Sequence, residues 1–333
     1  MTQGLSRRRF LASGAGVAAG AAAFSVLPPS VHAALARPVK GGGLKAIKHV
    51  VFLMQENGWV AAKSSATMAY LDRQDMPLQY ELADTFTICD AYHCSVPTST
   101  SPNRNYFVSG YTGCEADGSR AVMNASYSDT HPGYTWPTYA ELLERAGVSW
   151  KVYQEWDNFT DNNIEFFARF RAIAKKVIPA EYLSIESFYG AVRRADAVTR
   201  ERLLSGLEEK VALLPADERK LYELALRRNE PGSLAANFRA DIEAGKLPKV
   251  TYLVPSSVES EHPGDSSPIQ SARIIYDVLD AIASNPEVWD STALFITYDE
   301  NDGLFDHVPP PRPPESVQDE HVGDLPLGLG NRV

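Results

Sequence analysis

The chain has 333 residues, 44% of them hydrophobic and 22% charged, which predicts a globular protein with a sizeable buried core. Its 32 basic and 42 acidic residues leave a net charge of −10. That sign argues against nucleic acid as a partner and against tight binding to anionic lipid. Three cysteines, Cys89, Cys94 and Cys114, allow one disulfide but no cysteine framework.

Ser6-Arg7-Arg8-Arg9-Phe10-Leu11 opens the chain, and an Ala/Gly-rich apolar run follows from Ala12 to Leu27. Pro28, Pro29 and the small-residue stretch ending at Ala33 complete the layout of a signal peptide over residues 1–33. The arginines followed by Phe-Leu resemble a twin-arginine signal, so the export machinery of that route is an expected partner. The expected location is exported: periplasmic, cell-wall or secreted. The apolar run is too short and too weakly apolar for a permanent span, so no transmembrane segment is expected after signal removal.

A Pro/Gly-rich lead covers residues 34–44. Ile47 to Met54 is a short apolar run and reads as a buried parallel strand, with Gln55-Glu56-Asn57 at its end. Residues 98–104, rich in Ser and Thr with a proline, read as a loop. Thr138 to Ala146 reads as a helix with Thr138 as N-cap and Gly147 just past its end, and Val148 to Tyr153 as a strand. Residues 158–250 have a helical pattern broken at Pro231-Gly232. Val250 to Val254 reads as a strand, Ala272 to Ile282 as a helix, and Ala293 to Tyr298 as a second buried strand. Apolar strands alternating with helices predict an α/β fold, in which ligands bind outside the carboxyl ends of the strands.

Four polar clusters stand out, three of them at or near those ends: Glu56-Asn57, Glu261-His262-Pro263, and Asp299-Glu300 with Asp306-His307 beyond; the fourth, Thr98 to Arg104, lies in a loop. Phosphoester hydrolysis needs a cation on the phosphoryl oxygens, an in-line nucleophile, and a proton donor for the leaving oxygen. Carboxylates and amide oxygens suit a hard cation, a Ser or Thr hydroxyl can attack, and a histidine can donate the proton. Each cluster alone is more often a solvated loop or a turn; on one α/β frame they point to a site.

Five stretches carry a resemblance: IKHVVFLMQEN (47–57), ADTFTICDAYHCSV (83–96), Thr-x-Pro-Asn-Arg at Thr100 to Arg104, EHP at 261–263, and YDENDGLFDHVPPP (298–311). They resemble bacterial phospholipase C of the non-haemolytic, phosphatidylcholine-specific type, a family that shares its fold with acid phosphatases and, more distantly, alkaline phosphatases. The resemblance implies an alkaline-phosphatase-like α/β fold, a mostly parallel sheet sandwiched by helices with a helical insertion, in a single catalytic domain over residues 44–333. It implies one divalent or transition metal ion (Ca, Mg, Mn or Fe) held by Glu56, Asn57, Asp299 and Glu300. It further implies Thr100 as nucleophile, His262 in phosphate binding or protonation, and Asn103 in the same motif as the nucleophile; His307 lies in a family motif without an assigned role. The implied substrate is a phospholipid or a small phosphoester, and a phosphomonoesterase on the same site is the alternative. An aromatic cage for a quaternary ammonium would separate the two, with Tyr92, Tyr106, Trp136, Tyr153 and Trp156 as candidates.

The chain departs from the family pattern twice. Asn57 runs directly into Gly58-Trp59, where the family carries some tens of further residues, and the chain ends at Val333, where the family leads into another strand. These departures predict an incomplete copy, with an impaired or inactive remnant as the third reading.

Overall fold

The computed structural model describes residues 25–38, 43–55, 70–262, 264–301, 306–314, 321–322 and 325–333. Its centre is a four-stranded parallel sheet. The strands are β1 (His49–Gln55), β2 (Trp150–Tyr153), β3 (Val250–Leu253) and β4 (Thr292–Tyr298), in the order β2-β3-β1-β4. A parallel sheet needs crossovers, and helices supply them on both faces. Before β1 lies α1 (Pro29–Leu35). Between β1 and β2 lie α2 (Pro77–Thr85), α3 (Thr100–Ser109) and α4 (Tyr139–Arg145). The long β2–β3 crossover is the expected helical insertion, from α5 (Ala168–Val177) and α6 (Ile185–Arg194) to α9 (Leu234–Glu243), with α7 (Ala197–Ala212) and α8 (Ala216–Leu221) between them. Then α10 (Pro268–Ala283) and α11 (Pro286–Trp289) lead into β4.

The period-2 alternation of the strands divides two cores. Trp150, Val152, Val250 and Tyr252 point into a cluster with Phe170, Phe188 and Tyr222 of the insertion. Val51, Leu53, Tyr153 and Leu253 point the other way, against Phe238 of α9, Ile275 and Val278 of α10, and Val31 of α1. The expected helix near 138–146 is present with a full capping box: Thr138 accepts from the Glu141 backbone N–H, and the Glu141 carboxylate accepts from that of Thr138. Gly147 follows it at φ +64°, a conformation that favours glycine.

Two expectations are corrected. The segment read as a loop over 98–104 turns into α3 at Thr100. Pro102 falls in the first turn, where backbone N–H groups have no intrahelical partner, so it does not break the helix. The run Ala293 to Tyr298 is a strand, but it is not buried: every residue of β4 described is half-buried or exposed, and Phe295 is 48% exposed. Only its β1 side is paired among the described residues.

Candidate active site

All four strands point the same way, so their carboxyl ends meet at one edge of the sheet. Gln55 closes β1, fully buried. With its amide nitrogen turned toward the 259–260 loop, it donates to Ser260 O at 3.1 Å and Glu259 O at 3.0 Å, which anchors the segment beyond β3 to the end of β1. Asp299 and Glu300 follow β4 directly and are 2% and 3% exposed.

Helix α3 meets this pair with its first turn. Thr100 is its first residue and is 7% exposed, and its Oγ1 donates to Glu300 Oε1 at 3.3 Å. Asn103 is buried, and its described contacts shape the approach to the helix: Oδ1 accepts from the Val96 backbone N–H at 2.9 Å and Nδ2 donates to Ser99 O at 3.3 Å. One turn after Thr100, Arg104 donates from Nε to Asp299 Oδ2 at 2.7 Å and places Nη2 3.0 Å from Asp161 Oδ2.

His262 sits on the same edge by a different route. Its ring lies 4.8 Å from that of Phe159, two residues before Asp161, and Nδ1 is 3.3 Å from Asp265 Oδ2. Its side chain is 29% exposed, so it is open to solvent while the acidic pair is closed. Glu261 beside it is buried and accepts from Ser271 Oγ and, at 3.2 Å, from the Tyr298 hydroxyl. Burial and then the Glu261 charge push the Tyr298 hydroxyl well above its ordinary pKa, so it stays protonated and donating. Glu261 thus ties the His262 loop to the end of β4.

Phe159, Thr160 and Glu261 are the non-glycine residues with positive φ among those described, at +53°, +65° and +76°. Such a conformation costs on the order of 1–3 kcal/mol per residue and persists only where the surroundings hold it. All three lie in the two loops that flank the acidic pair.

The expected residues are therefore brought together in part. Thr100, Asp299 and Glu300 meet in one buried cluster with Arg104; Asn103 is buried on the same helix turn as Thr100, and His262 stands next to Glu261, which reaches Tyr298 at the end of β4. His307 lies at the surface, its side chain 81% exposed beside Asp306. Glu56, Asn57, Pro263 and the junction after Asn57 lie outside the described residues. Among the described residues no group of three or more His, Cys, Asp or Glu side chains gathers as a metal site. Asp299 and Glu300 supply hard carboxylate oxygens beside a hydroxyl, a donor set that fits a hard cation. Their negative charge is felt nearby: burial, then Glu300 and Asp299, push the Cys94 thiol up to about 12. All three cysteines are free thiols, so the allowed disulfide does not form.

Three of the five aromatic candidates have other neighbours. Lys151 lies over the Tyr153 ring at 4.3 Å, Arg200 over the Trp156 ring at 5.5 Å, and Trp136 packs against Tyr111, Tyr134 and Phe167. Sequence reasoning placed Arg104 in the polar segment and the motif but gave it no role, and it missed Asp161. The Arg104 signal was there, in its four-residue spacing from Thr100 on one helix face; Asp161 carried none.

Residues 39–333 match the phosphoesterase family model. The chain is 31% identical to the non-hemolytic phospholipase C of Burkholderia pseudomallei, over 98% of this chain and 56% of that protein. It is 31% identical to the non-hemolytic phospholipase C of Pseudomonas aeruginosa, over 98% and 55%, and 36% identical to phospholipase C A of Mycobacterium tuberculosis, over 80% and 46%. The chain thus spans about half the length of the curated relatives it matches. The chain belongs to the phosphoesterase family.

Proposed function

We propose that this chain carries the catalytic site of a phosphoric-ester hydrolase of the phospholipase C type, which cleaves phosphatidylcholine to diacylglycerol and phosphocholine with Thr100 as nucleophile. The observation that carries this reading is the Thr100–Glu300 hydrogen bond at the first turn of α3. The names of the relatives give the reaction class.

In this reading Thr100 Oγ1 passes its proton to Glu300 and attacks phosphorus in line with the diacylglycerol oxygen, and Glu300 returns that proton when the hydroxyl is restored. The P–O bond to diacylglycerol breaks, and His262 donates a proton to the departing alkoxide. Water then attacks the phosphothreonine ester, releasing phosphocholine and restoring the hydroxyl. The N-terminal end of α3 lies at Thr100, where the positive end of the helix favours anionic oxygens. A divalent or transition cation held by Asp299 and Glu300, together with Glu56 and Asn57, would supply charge neutralisation for those oxygens.

The test is Thr100→Ala in the full chain, assayed on p-nitrophenyl phosphorylcholine and on p-nitrophenyl phosphate with divalent metals present. Loss of the nucleophile lowers kcat by on the order of a thousandfold or more while the thermal unfolding midpoint stays within a few degrees. Retained turnover would remove Thr100 from the role. Wild-type turnover of the monoester alone would replace the diesterase reading with a phosphatase.

A further inference from the structure

Thr100 and Arg104 are four residues apart on α3, so their side chains leave the same face of the helix. Thr100 reaches Glu300 and Arg104 reaches Asp299, so one helix face engages both members of the acidic pair. The far end of Arg104 is fastened as well: Nη2 lies 3.0 Å from Asp161 Oδ2 and donates to Gln55 O at 3.3 Å, and Nη1 donates to Asp161 O at 3.3 Å. The side chains of Arg104, Asp161 and Asp299 are 3%, 1% and 0% exposed. Asp161 itself sits just past the left-handed pair Phe159-Thr160, a backbone conformation that the loop holds against its own preference.

Burying three charges without exchanging them for apolar groups is rarely the most stable solution. A guanidinium that spans two carboxylates does something a hydrophobic packing cannot: from one rigid planar group it holds an oxygen of each carboxylate in place. It also brings a positive charge close to a position where a cation is expected, which opposes cation binding unless that charge is balanced.

We propose that Arg104 is a positioning residue for the cation site, which fixes the Asp299 carboxylate in its ligating orientation, and that Asp161 balances the guanidinium so that it does not repel the cation. This inference rests on the reading of Asp299 and Glu300 as metal ligands. Groups that orient metal ligands from behind contribute roughly 10–100-fold to metal affinity.

The experiment measures Mn²⁺ binding to the full chain by calorimetry, with circular dichroism to confirm folding, for the wild type, Arg104→Lys and Asp161→Asn. Lysine keeps the charge but cannot fork across two carboxylates, so Arg104→Lys is expected to weaken Mn²⁺ binding about 10–100-fold. Asp161→Asn keeps the shape and leaves the guanidinium unbalanced, so Mn²⁺ binding weakens in the same direction. If Arg104→Lys does not fold, Asp161→Asn decides the matter. A merely structural ion triad would lower the unfolding midpoint of both variants and leave the Mn²⁺ affinity of the folded proteins unchanged, which overturns the inference. A wild type that binds no Mn²⁺ overturns it together with the metal reading. A wild type that binds Mn²⁺, loses affinity in the variants and yet turns over no phosphoester leaves the inference standing and removes the phospholipase reading alone.

Discussion

Strands β3 and β4 deliver the two halves of the site, yet they live in different surroundings. β3, Val-Thr-Tyr-Leu, is buried at every position, with a partner strand on each side. β4, Thr-Ala-Leu-Phe-Ile-Thr-Tyr, is as apolar, but among the described residues it sits at the end of the strand order and is only partly covered. The difference teaches that the acidic pair does not depend on a buried strand. Asp299 and Glu300 are closed in by the helix and loops above the sheet, through Arg104, Thr100 and the Tyr298–Glu261 contact, while the strand beneath them is half open.

Substitutions in the two strands should separate these roles. Leu253→Ala removes a side chain 2% exposed from the core shared with α9 and α10 and is expected to cost about 2–5 kcal/mol in a denaturant titration. A loss under about 1 kcal/mol would mean that the two strands are equivalent after all. Phe295→Ala should cost less, about 1 kcal/mol, because the ring is 48% exposed and its described contact is a stack on Phe52 at 5.4 Å. A loss as large as that of Leu253→Ala would show β4 to be covered by something further.

The smallest effect concerns the chain beyond β4. Arg332 donates to both carboxylate oxygens of Asp306 at 2.7 Å and holds it down at about 2. A carboxylate held below its ordinary range stabilises the folded state above that range and loses the contribution as pH falls toward 2. Asp306→Asn should therefore flatten the acid limb of stability between about pH 4 and 2, slightly, because the pair is near the surface. An unchanged acid limb would detach this pair from the fold.

The α/β order was legible because buried parallel strands are short apolar runs, and the helix at Thr138 because its cap and its Glu141 have fixed offsets. What set β3 apart from β4 was not: composition reports that a strand is apolar, whereas a central or edge position is decided by which strands pair. Helix α3 was hidden by Pro102, which reads as a breaker unless the helix start is known. Within the site, Thr100 and the Asp299-Glu300 pair were legible from the motifs that contain them. The Arg104–Asp299 contact joins residues 195 positions apart, and Asp161 depends on a left-handed loop that no local residue preference announces.

Helix α1 gives the signal pattern an unexpected setting. Leu27, Val31 and Ala34 are 4%, 0% and 4% exposed against the α10 side of the sheet, and Ser30 donates to Asp280. Were the chain cut after Ala33, as the sequence leads one to expect, Ser30 and Val31 would leave with the excised piece, and the face of α10 would lose the apolar cover that α1 gives it.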